Sequence, residues 1–186
     1  MKSTFKKAFT SSVAGILLSI ASLNASAFSL EGTLWSNAPN KTNPYLLYAI
    51  ALAESKKTDE TKRNVRPWPW AVNVQGKGHW FDTREEAEAF VMEHYNRGIR
   101  NIDVGIMQIN LRWHGHRVSH PLDLFDMETA IRVGEEILLE AIASAPGDMT
   151  LGVGRYHHWE HENVSRQYGN RVLGYKNAID RLSRGG

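Results

Sequence analysis

The sequence predicts an α+β domain, mainly helical, with one small β-hairpin. Two kinds of observation carry that prediction. Apolar residues recur at helical spacing in several long segments, and one short β-branched and aromatic stretch folds back around a glycine turn. The chain of 186 residues has the length of a single domain, and with 42% hydrophobic residues it can bury a substantial core.

The N-terminus stands apart from that domain. Lys2, Lys6 and Lys7 precede an apolar run over residues 13–23, and Ala25-Ser26-Ala27 follows. This order is that of a secretory signal peptide, with cleavage expected after Ala27, so that residues 1–27 are the signal and 28–186 the exported domain. The apolar run is short for a membrane span, and an uncleaved signal acting as an anchor is the alternative. The chain has no cysteine. A lipid-anchor thiol, disulfides and a cysteine nucleophile are therefore excluded, and a structural zinc site is disfavoured. Loss of the signal removes three lysines and no acid, so the 22 basic residues fall to 19 against 20 acidic ones. The basic character belongs largely to the signal, which removes the main support for a nucleic-acid partner.

Residues 28–42 read as an irregular lead-in. Pro44–Ser55 is the first predicted helix, with proline near its start where the fixed φ costs nothing. Residues 56–65 are charged and without period, and are expected as an exposed loop. Two prolines in Arg66-Pro67-Trp68-Pro69-Trp70 forbid a helix there. Residues 71–75 and 79–81, joined by Gly76-Lys77-Gly78, form the expected hairpin. Thr83 and Glu86 match a capping box for a helix that runs through Ala87, Phe90, Val91 and His94 to a stop at Gly98. Residues 103–110, DVGIMQIN, enter an apolar run at Gly105 and place one amide, Gln108, within it. Asp126 can cap a long helix over 127–144, which Pro146-Gly147 ends. Two further helices are expected over 150–159 and 165–182.

The chemistry begins at the end of the first helix. Ile50 and Leu47 lie on the same side as Glu54, one and two turns back. A carboxyl at the end of so apolar a helix is expected to be partly desolvated, which favours the protonated form that a general acid needs. The alternative is a helix-terminal acid pointing into water.

Four motifs then follow in order: Glu54-Ser55 on the helix, Gly105-Ile106-Met107-Gln108-Ile109-Asn110, Gly154-Arg155-Tyr156, and Tyr168-Gly169-Asn170-Arg171-Val172-Leu173 with Tyr175. Over residues 43–182 this resembles the lytic transglycosylase catalytic domain of the Slt family, which has a lysozyme-like fold. The nearest resemblance is to the small exported enzymes that accompany conjugation, type III and type IV secretion and pilus systems. The resemblance implies Glu54 as the single catalytic acid/base and Ser55, Gly105, Met107, Gln108, Tyr156 and Tyr168 as substrate-binding, with Gly105 allowing backbone to approach sugar. Tyr175 matches a tyrosine that is more often structural. It also implies a periplasmic location, peptidoglycan as partner, and neither cofactor nor metal. Two places depart from the family pattern: Tyr156-His157-His158-Trp159 stands where Y-N-A-G is usual, and Tyr168-Gly169 where Y-V is usual. The hairpin insert between Glu54 and Gly105 is also longer than the minimal pattern.

Most glycosidases pair two carboxyls, and no obvious second acid accompanies Glu54 in the sequence. One suffices when the substrate supplies its own nucleophile. In the implied reaction Glu54 protonates the glycosidic oxygen, the N-acetyl group of MurNAc stabilises the developing cation, and the C6 hydroxyl closes a 1,6-anhydro ring. Two other readings stay open: a hydrolytic goose-type muramidase, and a non-catalytic glycan-binding or assembly module.

Other residues admit two roles each. Trp68, Trp70 and Trp80 can stack on sugars or fill the core. His157, His158, Glu160 and His161 sit at spacings that could hold a metal, without the H-E-x-x-H pattern. Asp103 is either a partner of the acid or a turn residue. By spacing alone, Tyr168 and Tyr175 belong to the core.

Overall fold

Helix α1, Pro44–Ser55, starts where the side chain of Asn43 accepts the N–H groups of Tyr45 (3.0 Å) and Leu46 (3.2 Å). Proline lies just inside the start, as its missing N–H allows. The computed structural model describes residues 28–59 and 64–184. The signal peptide expected over 1–27 lies outside them. Leu47, Ala49, Ile50 and Ala51 of α1 are fully buried, and the helix packs against the C-terminal helix of the domain.

The segment expected as a loop after α1 is instead a β-ribbon. Strand β1, Lys56–Asp59, pairs antiparallel with β2, Asn64–Pro67, in the register Lys56↔Pro67 to Asp59↔Asn64. Its base is closed from α1: the Trp68 N–H reaches both the Ser55 carbonyl (3.1 Å) and the Ser55 hydroxyl (3.2 Å). Backbone pairing builds the ribbon without a buried face, so its charged sequence carried no hydrophobic alternation to betray it.

The hairpin is present, with its turn one residue earlier than expected. Strands β3, Ala71–Val74, and β4, Lys77–Trp80, are joined by Gln75 and Gly76 at φ 53° and 87°. Two successive positive φ values are those of a type I′ turn, whose twist suits a two-residue hairpin. The sheet also has two more strands than expected. Strand β5, Ile102–Val104, pairs with β3, and β6, Ile109–Asn110, pairs with β5, giving the antiparallel order β4-β3-β5-β6. Val72, Val74, Ile102, Val104 and Ile109 bury one face against the helices. Residues 103–110 are therefore a second hairpin, with residues 105–108 as its loop.

Helix α2, Arg84–Asn96, is capped as expected by Thr83, which accepts the Glu86 N–H at 3.3 Å. The short α3, Leu111–His114, follows β6, with Asn110 as its cap. Helix α4, Met127–Ala143, is capped by Asp126 through the Thr129 N–H (2.9 Å) and buries Ala130, Ile131, Val133, Ile137, Leu138 and Ala141. Helix α5, Met149–Gly154, is shorter than expected, and α6, Glu162–Arg184, is longer. The two pack at backbone distance. A Cβ on Gly154 would run into the Ser165 carbonyl, and one on Gly169 into that of Thr150. The molecule is thus α+β and mainly helical, as the sequence predicted.

One acid is buried in this core. Glu135 of α4 is fully buried, and its carboxylate accepts the N–H groups of Asn40 and Thr42, each at 3.0 Å. It thereby fixes the lead-in that turns into α1. Burial pushes the Glu135 carboxyl up, but the N–H donors of Asn40 and Thr42 outweigh it and hold the group below its ordinary value. The stability it contributes is therefore present above the ordinary carboxylate range and lost as the pH falls through it. Glu135→Gln, which turns a donor toward those N–H groups, is expected to cost about 1–3 kcal/mol. It should also flatten the acid side of the stability profile. Urea unfolding of both proteins between neutral and acid pH checks this.

Candidate active site

Glu54 occupies the last turn of α1, where the helix meets the sheet. Its side chain keeps 12% of its exposure, and one carboxyl oxygen, Oε1, is buried without a hydrogen-bond partner among the described residues. Glu54 itself lines a cleft of about 800 Å³ between the sheet and the segment joining α5 to α6. Asp103 and Asn110 line it from the β5–β6 hairpin, Gln108 from the loop of that hairpin, and Tyr156, His157, Trp159 and Arg171 from the helical side.

His157 stands beside the acid. Its Nδ1 lies 3.7 Å from Glu54 Oε1, and its ring lies flat on that of Tyr168, with centroids 4.8 Å apart at 6°. The neighbouring Glu54 carboxyl raises the imidazole above its ordinary value, against the effect of burial. Tyr168 is 2% exposed, and its hydroxyl is buried without a hydrogen-bond partner among the described residues. Burial, then the charge of Glu54, pushes that phenol well up, and the same two causes act on Tyr156.

Asp103 is a second carboxyl in the same cleft, which the sequence left undecided between partner and turn residue. It lies in strand β5 and accepts from the Asn110 amide at 2.7 Å. Burial pushes it up, the Asn110 hydrogen bond opposes this, and Glu54 adds to the rise.

The loop at residues 105–108 is strained into place. Gly105 has φ 75°, and a Cβ there would strike the Leu124 carbonyl oxygen. Gln108 has φ 46°, a left-handed conformation costly for a residue with a Cβ. Its side-chain amide offsets part of that cost by donating to the Ala71 and Gly105 carbonyls at 2.9 and 2.8 Å. Tyr156 holds the same loop, its hydroxyl donating to the Met107 carbonyl at 2.9 Å.

Of the residues expected at the site, Glu54, Gln108 and Tyr156 line the cleft, and Tyr168 lies directly behind His157. Three expectations are corrected. Ser55 is fully buried, its hydroxyl 2.8 Å from the Ile106 carbonyl, so it fastens the loop and does not face the cleft. Met107 is fully buried against Gly134. Gly105 makes room for the Leu124 backbone, and it is not among the cleft-lining residues. Trp68 donates to the Phe81 carbonyl at 2.7 Å and stands edge-on to Trp70, and neither these two nor Trp80 lines the cleft. Tyr175 accepts from Lys56 at 2.9 Å and ties the ribbon to α6, a structural part. Sequence reasoning missed Trp113 and Trp159, and it weighed His157 as a metal ligand rather than as the neighbour of Glu54. Only their proximity to Tyr156 and Asn110 in sequence could have drawn attention to them.

Among the described residues, no three His, Asp or Glu side chains are grouped so as to hold a metal ion. No family model, curated protein or solved structure matches the chain.

The pairing of His157 with Glu54 is directly measurable. In an NMR titration, His157 should titrate above the ordinary histidine value, and Glu54→Gln should bring it down, because the raising carboxylate is gone. An unchanged titration in the variant would show that some other group raises the imidazole.

Proposed function

We propose that the protein is a peptidoglycan lytic transglycosylase in which Glu54 is the acid/base. The observation that carries this reading is the largely desolvated Glu54 side chain, 12% exposed, lining a cleft with Gln108 and Tyr156 in its wall. A carboxyl in the cleft wall can give its proton to a substrate oxygen that the cleft admits. The resemblance in motif order supplies the substrate class. The glycosidic bond between MurNAc and GlcNAc lies against Glu54, which donates its proton to the leaving oxygen. As a carboxylate, Glu54 next takes the proton of the C6 hydroxyl, whose oxygen attacks C1. The proton returns to Glu54, and the products are a GlcNAc terminus and a 1,6-anhydro-MurNAc end, with no water consumed. The enzyme works after export to the periplasm, where it opens the wall locally for a conjugation, secretion or pilus machine.

Asp103 is the specific observation that favours a second reading, hydrolysis. A carboxylate in the same cleft as the acid can serve as a base for water, as in two-carboxyl glycosidases. Digestion of purified sacculi followed by mass spectrometry separates the two. The proposed reaction yields anhydro-muropeptides, whereas hydrolysis yields reducing ends heavier by one water.

Glu54→Gln keeps the shape and removes the proton, and is expected to lower turnover by about 10²–10⁴-fold. Wild-type turnover in the folded variant would sink the assignment. Asp103→Asn, assayed on the same sacculi, should leave anhydro products dominant and cost at least about tenfold less than Glu54→Gln, since the transglycosylase needs no second base. If the two substitutions prove equally severe and the wild-type products are reducing ends, the hydrolytic reading replaces it.

A further inference from the structure

Two tryptophans the motifs do not include are held out in the Glu54 cleft. Trp113 is 64% exposed and Trp159 is 53% exposed, and both line the cleft wall. An exposed indole forgoes the burial its area would give, so a pair of them in one cleft calls for a ligand that covers them. They come from different walls. Trp113 sits on α3, straight after the sheet, and Trp159 lies between α5 and α6.

Each indole is braced. The Arg112 guanidinium lies over the Trp113 ring at 5.0 Å, and that of Arg155 over Trp159 at 5.7 Å. Arg155 is itself fastened to the end of α4, donating to the Ser144 carbonyl at 2.6 Å. Trp113 is braced a second way, through its helix cap. Asn110 accepts the Arg112 N–H at 3.0 Å while its amide donates to Asp103 at 2.7 Å, which couples the α3 platform to the cleft carboxyl. A guanidinium over one face of each ring leaves the other face as the open one.

The surrounding wall narrows the class of ligand. The same cleft is lined by Asn73 and by Gln108, whose NH2 donates to the Ala71 and Gly105 carbonyls and leaves its carbonyl oxygen as an acceptor, while Asn110 is taken up by Asn101, Asp103 and the Arg112 N–H. Flat apolar faces in a cleft that also carries polar side chains match a pyranose chain, whose C–H faces stack on aromatic rings while its hydroxyl and acetamido groups hydrogen-bond. We infer that Trp113 and Trp159 are the sugar-stacking platforms of the cleft, holding an N-acetylated glycan strand from its two walls. This rests on the proposed glycan chemistry at Glu54 and adds the residues that grip the strand.

The test is calorimetric binding of N-acetylglucosamine tetramer to the Glu54→Gln protein, which binds without turnover. Trp113→Ala and Trp159→Ala, each introduced into that background, are expected to weaken binding about tenfold, the size of one aromatic contact. Trp→Tyr at each position should recover most of it, which a loss of folding would not allow. Trp80→Ala removes an indole that is 48% exposed outside the cleft, and should leave affinity unchanged. Tight binding by both alanine variants overturns the inference and leaves the proposed function standing. So does a loss confined to one of them, since two walls are claimed. If the Glu54→Gln parent binds neither the tetramer nor purified peptidoglycan strands, the glycan reading falls and the platforms fall with it.

Discussion

The hydrogen bond from Ser55 Oγ to the Ile106 carbonyl, 2.8 Å long and wholly buried, is the joint on which the site depends. It binds the end of α1 to the hairpin loop at residues 105–108. The Tyr156 hydroxyl binds the next carbonyl of that loop, Met107, from the end of α5. The Gln108 amide binds the loop to β3 through the Ala71 carbonyl. Helix, helix and sheet thus meet on four consecutive residues. None of these bonds is strong by itself, since each adds only about 0.5–1.5 kcal/mol net. Breaking the bond to Ile106 or Met107 leaves a loop carbonyl unpaired, and that asymmetry is what holds the junction together.

Glu54 is placed by the same joint. Successive residues on a helix point about 100° apart, so when Ser55 turns inward to the loop, Glu54 must face the cleft beside it. The ribbon reinforces this from outside, because the Trp68 N–H closes on both the carbonyl and the hydroxyl of Ser55. A serine after the acid therefore does positional work: it fixes where the carboxyl points. The strain at Gln108 belongs to the same arrangement. Its left-handed backbone turns the chain back into β6, so that Asn110 reaches Asp103 and α3 begins at once.

Helix α1 was legible to the residue, because a proline start, an apolar face and a change to charged sequence coincide there. Helix α4 was equally clear from its Asp126 cap and broad apolar side. The short strands were not. Strand β6 has two residues, and the β1–β2 ribbon buries no continuous face, so neither leaves a period to detect. Within the site, Glu54, Gln108 and Tyr156 stood out by residue type and motif order. Ser55, Gly105 and Met107 share the same motifs, yet they serve the joint behind the wall. Motif order cannot tell a residue that touches a ligand from one that holds its neighbour, because both are equally constrained. Trp113 and the placement of His157 beside Glu54 were hidden for the opposite reason: their meaning comes only from the side chains that folding brings opposite them.

Burial and the Glu54 charge together set the electrostatics of the cleft. Burial raises Tyr156, Tyr168 and Asp103, and the Glu54 carboxylate adds to that rise by repelling a second negative charge, while it raises His157 by attracting a positive one against the effect of burial. All four neighbours respond in the same sense, toward holding their protons. The two tyrosines stay neutral, and their hydroxyls remain donors. Asp103, pushed up beside Glu54, resists sharing the cleft with a second full charge. Such a site accepts positive charge at its centre more readily than negative. A glycosidic bond breaking against Glu54 develops positive charge at the sugar's C1, and in the proposed reaction that is where the field of the cleft works in favour of the transition state.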